Sequence, residues 1–349
     1  MSSPLILAVD GGNSKTYLAL LRADGALLAL VRGTQSSPHH LGGDGCLTVL
    51  EGLLGDAALS AGVAMAETPA AVGVFLLAGV DYPSEEKEIA GSLSARGWAA
   101  RTIVGNDTFA VLRAGTAHGW GVAVVCGAGI NCVGVARDGR QVRFPALGAI
   151  TGDWGGGYDV GLAAVSAAAR SEDGRGPRTS LEQAVPAHFG LHTPAQLAEA
   201  IHRREIPMRA VIGLAPVVFA EGADDAVAAE IVDHLAAEVV NLARVALDRL
   251  GLTDETVEVM LGGGMFQSRD PRLLGAIDRG LRGVGPGLSA RVTDSPPIVG
   301  AALLGLDEVG GDSDAGDRVR AELGAAVERF EQSTSGDDEV LAETYLEVE

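Results

Sequence analysis

The stretch Asp10-Gly11-Gly12-Asn13-Ser14-Lys15-Thr16 follows the apolar run Leu5-Ile6-Leu7-Ala8-Val9 and precedes a second apolar segment at 17–21. A continuous apolar run of this length reads as a buried strand. The seven residues then form the turn of a hairpin whose first strand ends on a carboxylate. Two glycines followed by amide, hydroxyl and amine side chains can turn several donors onto a phosphate. A carboxylate at the end of a buried strand is costly unless partnered, and Mg2+ held through water beside a phosphate is a natural partner for Asp10. The plainer alternative is a hairpin with a capping Asp. The string is not a P-loop, because GxxxxGK[ST] is absent and a strand rather than a helix follows. Lys15 and Lys87 are the only lysines in the chain.

Outward from this turn, Asp24-Gly25 is a hairpin signal that leads into a third strand at 26–31. A helix over 45–64, a strand at 72–78 and a helix over 84–96 follow, the last with Ser84 as N-cap and Glu85 and Glu86 in its first turn. A strand at 101–104 ends at Gly105-Asn106-Asp107, where the next helix opens. The order then restarts. Strands at 121–126 and 131–136 flank Gly127-Ala128-Gly129, with a third at 141–144. Helices are predicted over 158–169, 180–188, 194–203, 208–220 and 224–250. A strand at 257–261 runs into Gly262-Gly263-Gly264, followed by a helix at 271–282, a strand at 289–293 and a helix at 297–306. No short sequence repeat is present. What recurs is the order of elements, three antiparallel strands and then alternating helices and strands. This predicts two related α/β domains, 1–112 and 113–308, facing a cleft. The remainder, 309–349, is an acidic tail. It opens on Gly310-Gly311-Asp312-Ser313, and places Val319, Leu323, Ala326, Val327 and Phe330 at helical spacing. The final 17 or so residues are expected to be mobile.

Composition narrows the function. At 349 residues, 47% hydrophobic and 21% charged, the chain is globular and not disordered. Its 49 glycines are about twice the usual share and follow no collagen period. The net charge is −20, from 26 basic and 46 acidic residues; from Asp307 onward there are 14 acidic and 3 basic. With no basic run, nucleic acid is not an expected partner. Cys46, Cys126 and Cys132 form neither a disulfide framework nor a zinc site. Residues 1–10 lack the features of a signal peptide, and no apolar run reaches the ~18 residues of a membrane span. The expected setting is a reducing cytoplasm, with no membrane association.

Four further motifs carry chemistry or its alternatives. Cys126-Gly127-Ala128-Gly129-Ile130-Asn131 occupies the hairpin that corresponds to the first, so two glycine hairpins could grip one polyphosphate. Gly105-Asn106-Asp107 reads either as a helix cap or as a general base that takes a proton from a substrate hydroxyl. Gly152-Asp153-Trp154-Gly155-Gly156-Gly157 sets a carboxylate and an indole ahead of a helix, which suits a sugar; the alternative is a glycine-rich cap beside a buried Trp. Leu261-Gly262-Gly263-Gly264 brings backbone close to something flat, such as a nucleobase or ribose. His39-His40 reads as loop, and Cys126 and Cys132 as core or wall.

Taken in order, the string 10–16 and the glycine motifs at 127–129, 152–157 and 262–264 resemble the actin/hexokinase superfamily, and within it the BadF/BadG/BcrA/BcrD-type ATPase family, over about residues 4–308. The resemblance implies an α/β protein with two ribonuclease-H-like domains of the actin-like ATPase fold around a central cleft, closing over ATP and Mg2+. It implies that Asp10 holds magnesium through water. Gly11, Gly12, Asn13, Ser14, Lys15, Thr16, Gly127, Ala128 and Gly129 would contact phosphates, and Gly262, Gly263 and Gly264 adenosine. Asp107 would be the general base. Asn106, Asp107 and Asp153 would hold sugar hydroxyls, Asn131 would line the sugar site, and Ser37 stands where the family's eukaryotic pattern has a sugar-binding Asn. Two departures stand out. Gly-Thr-Gly-Ser of the family is Gly127-Ala128-Gly129-Ile130 here, which removes two hydroxyl donors, and Asp-Glu-Gly-Ser is Asp153-Trp154-Gly155-Gly156.

The activity so implied is an ATP-dependent kinase for the 6-hydroxyl of an amino sugar, N-acetylglucosamine first, with glucosamine or N-acetylmuramic acid as variants. The partner is a small-molecule sugar; a homodimer is left open. A second reading from the same broad group is an ATPase activator of a 2-hydroxyacyl-CoA dehydratase, which needs cysteines that hold an iron–sulfur cluster between subunits; Cys126 and Cys132 are not placed for that. A third, a sugar-sensing repressor, is disfavoured because the chain opens on a strand, without a helix-turn-helix, and is acidic. The zinc-binding cysteine cluster of ROK sugar kinases is also missing.

Overall fold

The computed structural model describes residues 3–65 and 69–334. The expectation of mobility for the last residues concerns a stretch that lies outside these, from 335 on. The described chain forms two compact units, one of residues up to Trp120 together with those from Thr293, the other Gly121–Val292.

The first unit begins with β1 (Leu5–Gly11), β2 (Lys15–Arg22) and β3 (Leu27–Thr34), then α1 (Pro38–Ala61), β4 (Ala70–Leu77), α2 (Pro83–Ala95), β5 (Ala99–Gly105) and α3 (Thr108–Gly115). Its sheet runs β3-β2-β1-β4-β5. β1 is antiparallel to β2 but parallel to β4, which is parallel to β5. The carboxyl ends of β1, β4 and β5 therefore lie side by side, with Gly11 opposite Leu77 and Leu76 opposite Gly105. Side chains alternate across a strand. Leu7 and Val9 enter one core with Leu18, Leu20, Leu50, Phe75 and Leu93.

The second unit repeats the plan. It contains β6 (Gly121–Cys126), β7 (Ile130–Val135), β8 (Gln141–Arg143), α4 (Gly156–Glu172), α5 (Leu181–His188), α6 (Pro194–His202), α7 (Ala215–Glu221), α8 (Ala226–Leu250), β9 (Val257–Gly262), α9 (Gly264–Gln267), α10 (Pro271–Val284) and β10 (Leu288–Val292). The sheet order, β10-β9-β6-β7-β8, is that of the first sheet with corresponding strands in corresponding places. Two α/β units with this shared strand order are the ribonuclease-H-like pair expected from the sequence.

The chain then returns to the first unit with α11 (Pro297–Val309) and α12 (Ser313–Thr334). By compactness, residues 113–120 and those from Thr293 group with the first unit, where the sequence reading sets its boundaries at 112/113 and 308/309. α11 lies on β1, β4 and α3, on the sheet face opposite α1, where Ile6 approaches Gly305.

Three local differences have proline as their cause. α1 starts at Pro38 and not at 45, with a kink at Gly42. α2 starts at Pro83, whose missing N–H needs no cap, so Ser84 is not the N-cap. The Glu85 carboxylate instead accepts the main-chain N–H groups of Asp81 (2.8 Å) and Tyr82 (2.9 Å). The helix read over 208–220 is a 3-10 segment, Met208–Leu214, followed by α7, with Pro216 in the first turn.

Candidate active site

In the first unit the candidate residues gather where β1, β4 and β5 end, the edge at which open α/β sheets bind ligands. Asp10 is the penultimate residue of β1, opposite Tyr17 on one side and Leu76 on the other. The turn after it closes with Gly12 N–H donating to the Lys15 carbonyl (2.9 Å), and Asn13 and Ser14 stand exposed at its tip. Thr16 is buried and donates its hydroxyl to Ser36 Oγ (2.8 Å), while Ser36 N–H reaches the Gly12 carbonyl (3.3 Å). The hairpin is thus strapped to the loop that carries Ser37. Ser37 is fully buried, and its Oγ has no hydrogen-bond partner among the described residues. The Lys15 ammonium pairs with Glu331 of α12 (2.7 Å), 5.3 Å from the Tyr17 ring centroid.

Asp107 sits at the N-cap position of α3, yet its side chain makes no capping hydrogen bond. The cap comes from Asn106, whose Oδ1 accepts the Thr108 N–H (2.9 Å) and the Thr108 hydroxyl. The Asn106 Nδ2 donates to Asp81 Oδ1 (2.8 Å). The cap reading of Gly105-Asn106-Asp107 therefore falls on Asn106, and the Asp107 carboxylate takes no part in it.

Asp10 and Asp107 are both half-buried. Burial, then the charge of Asp107, pushes the Asp10 carboxyl up to about 7, partly offset by Lys15. Burial, then the charge of Asp81, pushes Asp107 up to about 6. Two carboxylates held against their own charge suit a hydrated magnesium ion, which keeps several waters and takes one or two carboxylates beside substrate phosphates. No group of three or more His, Cys, Asp or Glu side chains among the described residues could hold a metal. An all-protein cage is therefore not the mode of binding that these residues fit.

In the second unit the glycines explain one another. Gly157 N–H donates to the Gly127 carbonyl (2.8 Å) and Tyr158 N–H to the Ala128 carbonyl (3.0 Å), so the hairpin between β6 and β7 supplies acceptors to the start of α4. A Cβ on Gly156 would lie 2.5 Å from the Ala128 oxygen, and one on Gly263 2.4 Å from the Cys126 oxygen. Packing on the Cys126 main chain is by itself enough to require glycine at 263. A Cβ on Gly127, Gly129 or Gly264, by contrast, would meet nothing within 4 Å. These three leave open backbone able to approach a ligand.

Asn131, on β7, turns its Oδ1 to its own neighbour, the Cys132 N–H (2.7 Å). The Asp153 carboxylate accepts the Thr151 hydroxyl (2.5 Å). The Trp154 indole is stacked on His234 of α8, with centroids 4.0 Å apart and planes at 19°, so one face of that ring is covered by imidazole. All three cysteines are buried and free. Burial pushes the Cys126 thiol up to about 12 and raises Cys132 as well. None is placed at the surface for a cluster shared between subunits.

Sequence reasoning missed Asp81, Ser36 and Glu331. Asp81 had a signal: it is an acid that follows an apolar strand within a few residues, two positions after Gly79. Glu331 had none, because its partner is 316 positions away.

Two sheets of one strand order, with glycine turns at the ends of strands in both and carboxylates at those of the first, define the two-domain actin-like fold. Residues 7–305 match the BadF/BadG/BcrA/BcrD ATPase family, and the chain belongs to it. Membership implies use of ATP. The chain is 27% identical over 267 residues to an N-acetylmuramic acid/N-acetylglucosamine kinase of Clostridium acetobutylicum, covering 75% of this chain and 86% of that one. It is 26% identical over 330 residues to an N-acetyl-D-glucosamine kinase of Dictyostelium discoideum, covering 88% and 99%. Among solved structures, a Chromobacterium violaceum protein proposed to be an N-acetylglucosamine kinase aligns with a TM-score of 0.68 at 24% identity, over 87% of this chain and all of the other. Among the described residues, no helix is long and apolar enough to cross a membrane.

Proposed function

We propose that this protein is an ATP-dependent sugar kinase that transfers the γ-phosphoryl group to the 6-hydroxyl of an amino sugar, N-acetylglucosamine first. The observation that carries the reading is the division of labour at the start of α3. Asn106 does the capping, which leaves the Asp107 carboxylate, raised toward neutrality, for proton transfer. A base works best with a pKa near the operating pH. In this reading the Asp107 carboxylate accepts the O6 proton as the O6–phosphorus bond forms and the bond from the γ-phosphorus to the bridging oxygen breaks. ADP leaves with the bridging oxygen. Phosphoryl transfer asks the protein mainly for positioning and charge stabilisation. Gly11, Gly12, Asn13, Ser14, Lys15, Thr16, Gly127, Ala128 and Gly129 serve the phosphates, and Gly262, Gly263 and Gly264 the adenosine. Asp10 would hold Mg2+, which neutralises phosphate charge when bound. Ser37, Asn106, Asn131 and Asp153 serve the sugar; the buried, unpartnered Ser37 hydroxyl supports its place in that set.

The test is ADP release from ATP across a panel of N-acetylglucosamine, glucosamine, N-acetylmuramic acid and glucose, with the product's phosphate position read by NMR. Release that depends on N-acetylglucosamine and gives the 6-phosphate is expected, and Asp107→Asn should lower turnover by ~10²–10⁴, the range of general-base effects. Turnover that ignores every sugar, or full activity of Asp107→Asn, overturns the reading.

A further inference from the structure

Asp81 lies in the turn between β4 and α2, beyond the same row of strand ends that carries Asp10 and Asp107. That turn is fixed locally, because Glu85 accepts both the Asp81 and the Tyr82 main-chain N–H. From there Asp81 Oδ1 accepts a hydrogen of the Asn106 amide (2.8 Å). Asn106 is 3% exposed, and its Oδ1 is engaged by both donors of Thr108. A carboxylate can only accept and a main-chain N–H can only donate. The amide therefore has one orientation, nitrogen to Asp81 and oxygen to Thr108. The residues on both sides of Asp107 are held by a single chain of hydrogen bonds that starts at Asp81.

We infer that Asp81 is a positioning residue, which acts through Asn106 to fix the Asp107 carboxylate for its acceptor hydroxyl. This rests on the reading of Asp107 as the base. The physical reason is the steepness of catalysis with geometry: a misplacement of about 1 Å can cost on the order of 10²-fold. Asp81 touches neither ligand in this account. Its removal should affect the rate of the chemical step and spare the binding of ATP.

The experiment compares Asp81→Ala, Asp81→Asn, Asn106→Ala, the double variant with both alanines, and Asp107→Asn in the full chain. It measures kcat, KM for ATP, KM for N-acetylglucosamine and melting temperature. Asp81→Ala is expected to lower kcat by about 10–100-fold with KM for ATP unchanged. Asp81→Asn keeps an oxygen that accepts the Asn106 hydrogen and should recover most of that loss, which a purely electrostatic role would not allow. Because Asp81 and Asn106 are links of one chain, the double variant should lose no more than the worse single variant. Full kcat in Asp81→Ala beside a dead Asp107→Asn would overturn the inference and leave the base intact. So would multiplicative losses in the double variant, or no recovery in an Asp81→Asn protein that melts like wild type. An active Asp107→Asn would strike the base reading itself, and the two failures are thereby told apart.

Discussion

Asp10 and Asp107 are held as like charges in half-buried positions, and this gives the protein a pH signature. An unfolded Asp titrates near 3.9, whereas the folded values are pushed up to about 7 and about 6, by burial first in both cases. A raised carboxyl means that the folded state binds more protons than the unfolded state between those limits. Stability from these two groups is therefore greatest in acid, and falls as pH rises from about 4 to about 7. Melting of the protein in chelator should accordingly drop across that window. Asp10→Asn should flatten the slope and raise the melting temperature near neutral pH. Added Mg2+ with ATP should stabilise more at the neutral end than at the acid end. A wild-type profile unchanged by Asp10→Asn would refute the assignment. Asp10 and Asp107 stand out in the sequence as candidates because an acid at the end of a buried strand is costly unless partnered. The capping by Asn106 and its bond to Asp81 were not legible, because neighbouring residues at a helix start look alike until the hydrogen bonds are seen.

Elements were legible where a local rule governs them. Leu5–Gly11 announced itself as a continuous apolar run, and the Asp24-Gly25 turn placed the next pair of strands. Boundaries slipped where proline opens a helix. The docking of α12 could be anticipated only as an apolar stripe, since its partners are remote in sequence. Arg320 donates to the carbonyls of Ala114 (2.6 Å) and Thr116 (2.8 Å) at the end of α3, and Glu322 accepts the Leu27 N–H (3.0 Å). Among these contacts, magnitudes decide which matters. Val319 and Leu323 are fully buried, and truncating a buried leucine to alanine costs about 2–5 kcal/mol. The Lys15–Glu331 pair is exposed on both sides, and such pairs contribute about 0–1 kcal/mol. Leu323→Ala should therefore lower stability clearly, and Glu331→Gln hardly at all. Denaturant titration of both variants checks this. A larger loss from Glu331→Gln would mean that the ion pair, and not the apolar stripe, holds the helix.

At the scale of the whole molecule, the chain leaves the first unit after Trp120, builds the second, and comes back at Thr293. No local pattern could reveal that return. The helix at 297–309 reads the same whichever unit it joins, and only packing assigns it. Ile298, Val299, Leu303 and Leu306 of α11 are buried, and the helix lies on β1, β4 and α3. Without it, one face of the first sheet would expose the Ile6 side of β1 and the apolar surface of α3, a penalty of roughly 25 cal/mol for each Å². The second unit lacks that dependence, because its sheet, α4, α8 and α10 are continuous in sequence and of ordinary domain size. A fragment of residues 121–292 should therefore unfold cooperatively on its own, with a sharp thermal transition by circular dichroism. Residues 1–120 alone should not, and should recover a cooperative transition when joined through a flexible linker to 293–334. Independent folding of 1–120 would show that α11 merely rests on a sheet already complete, and the boundary drawn by sequence at 112/113 would regain its meaning.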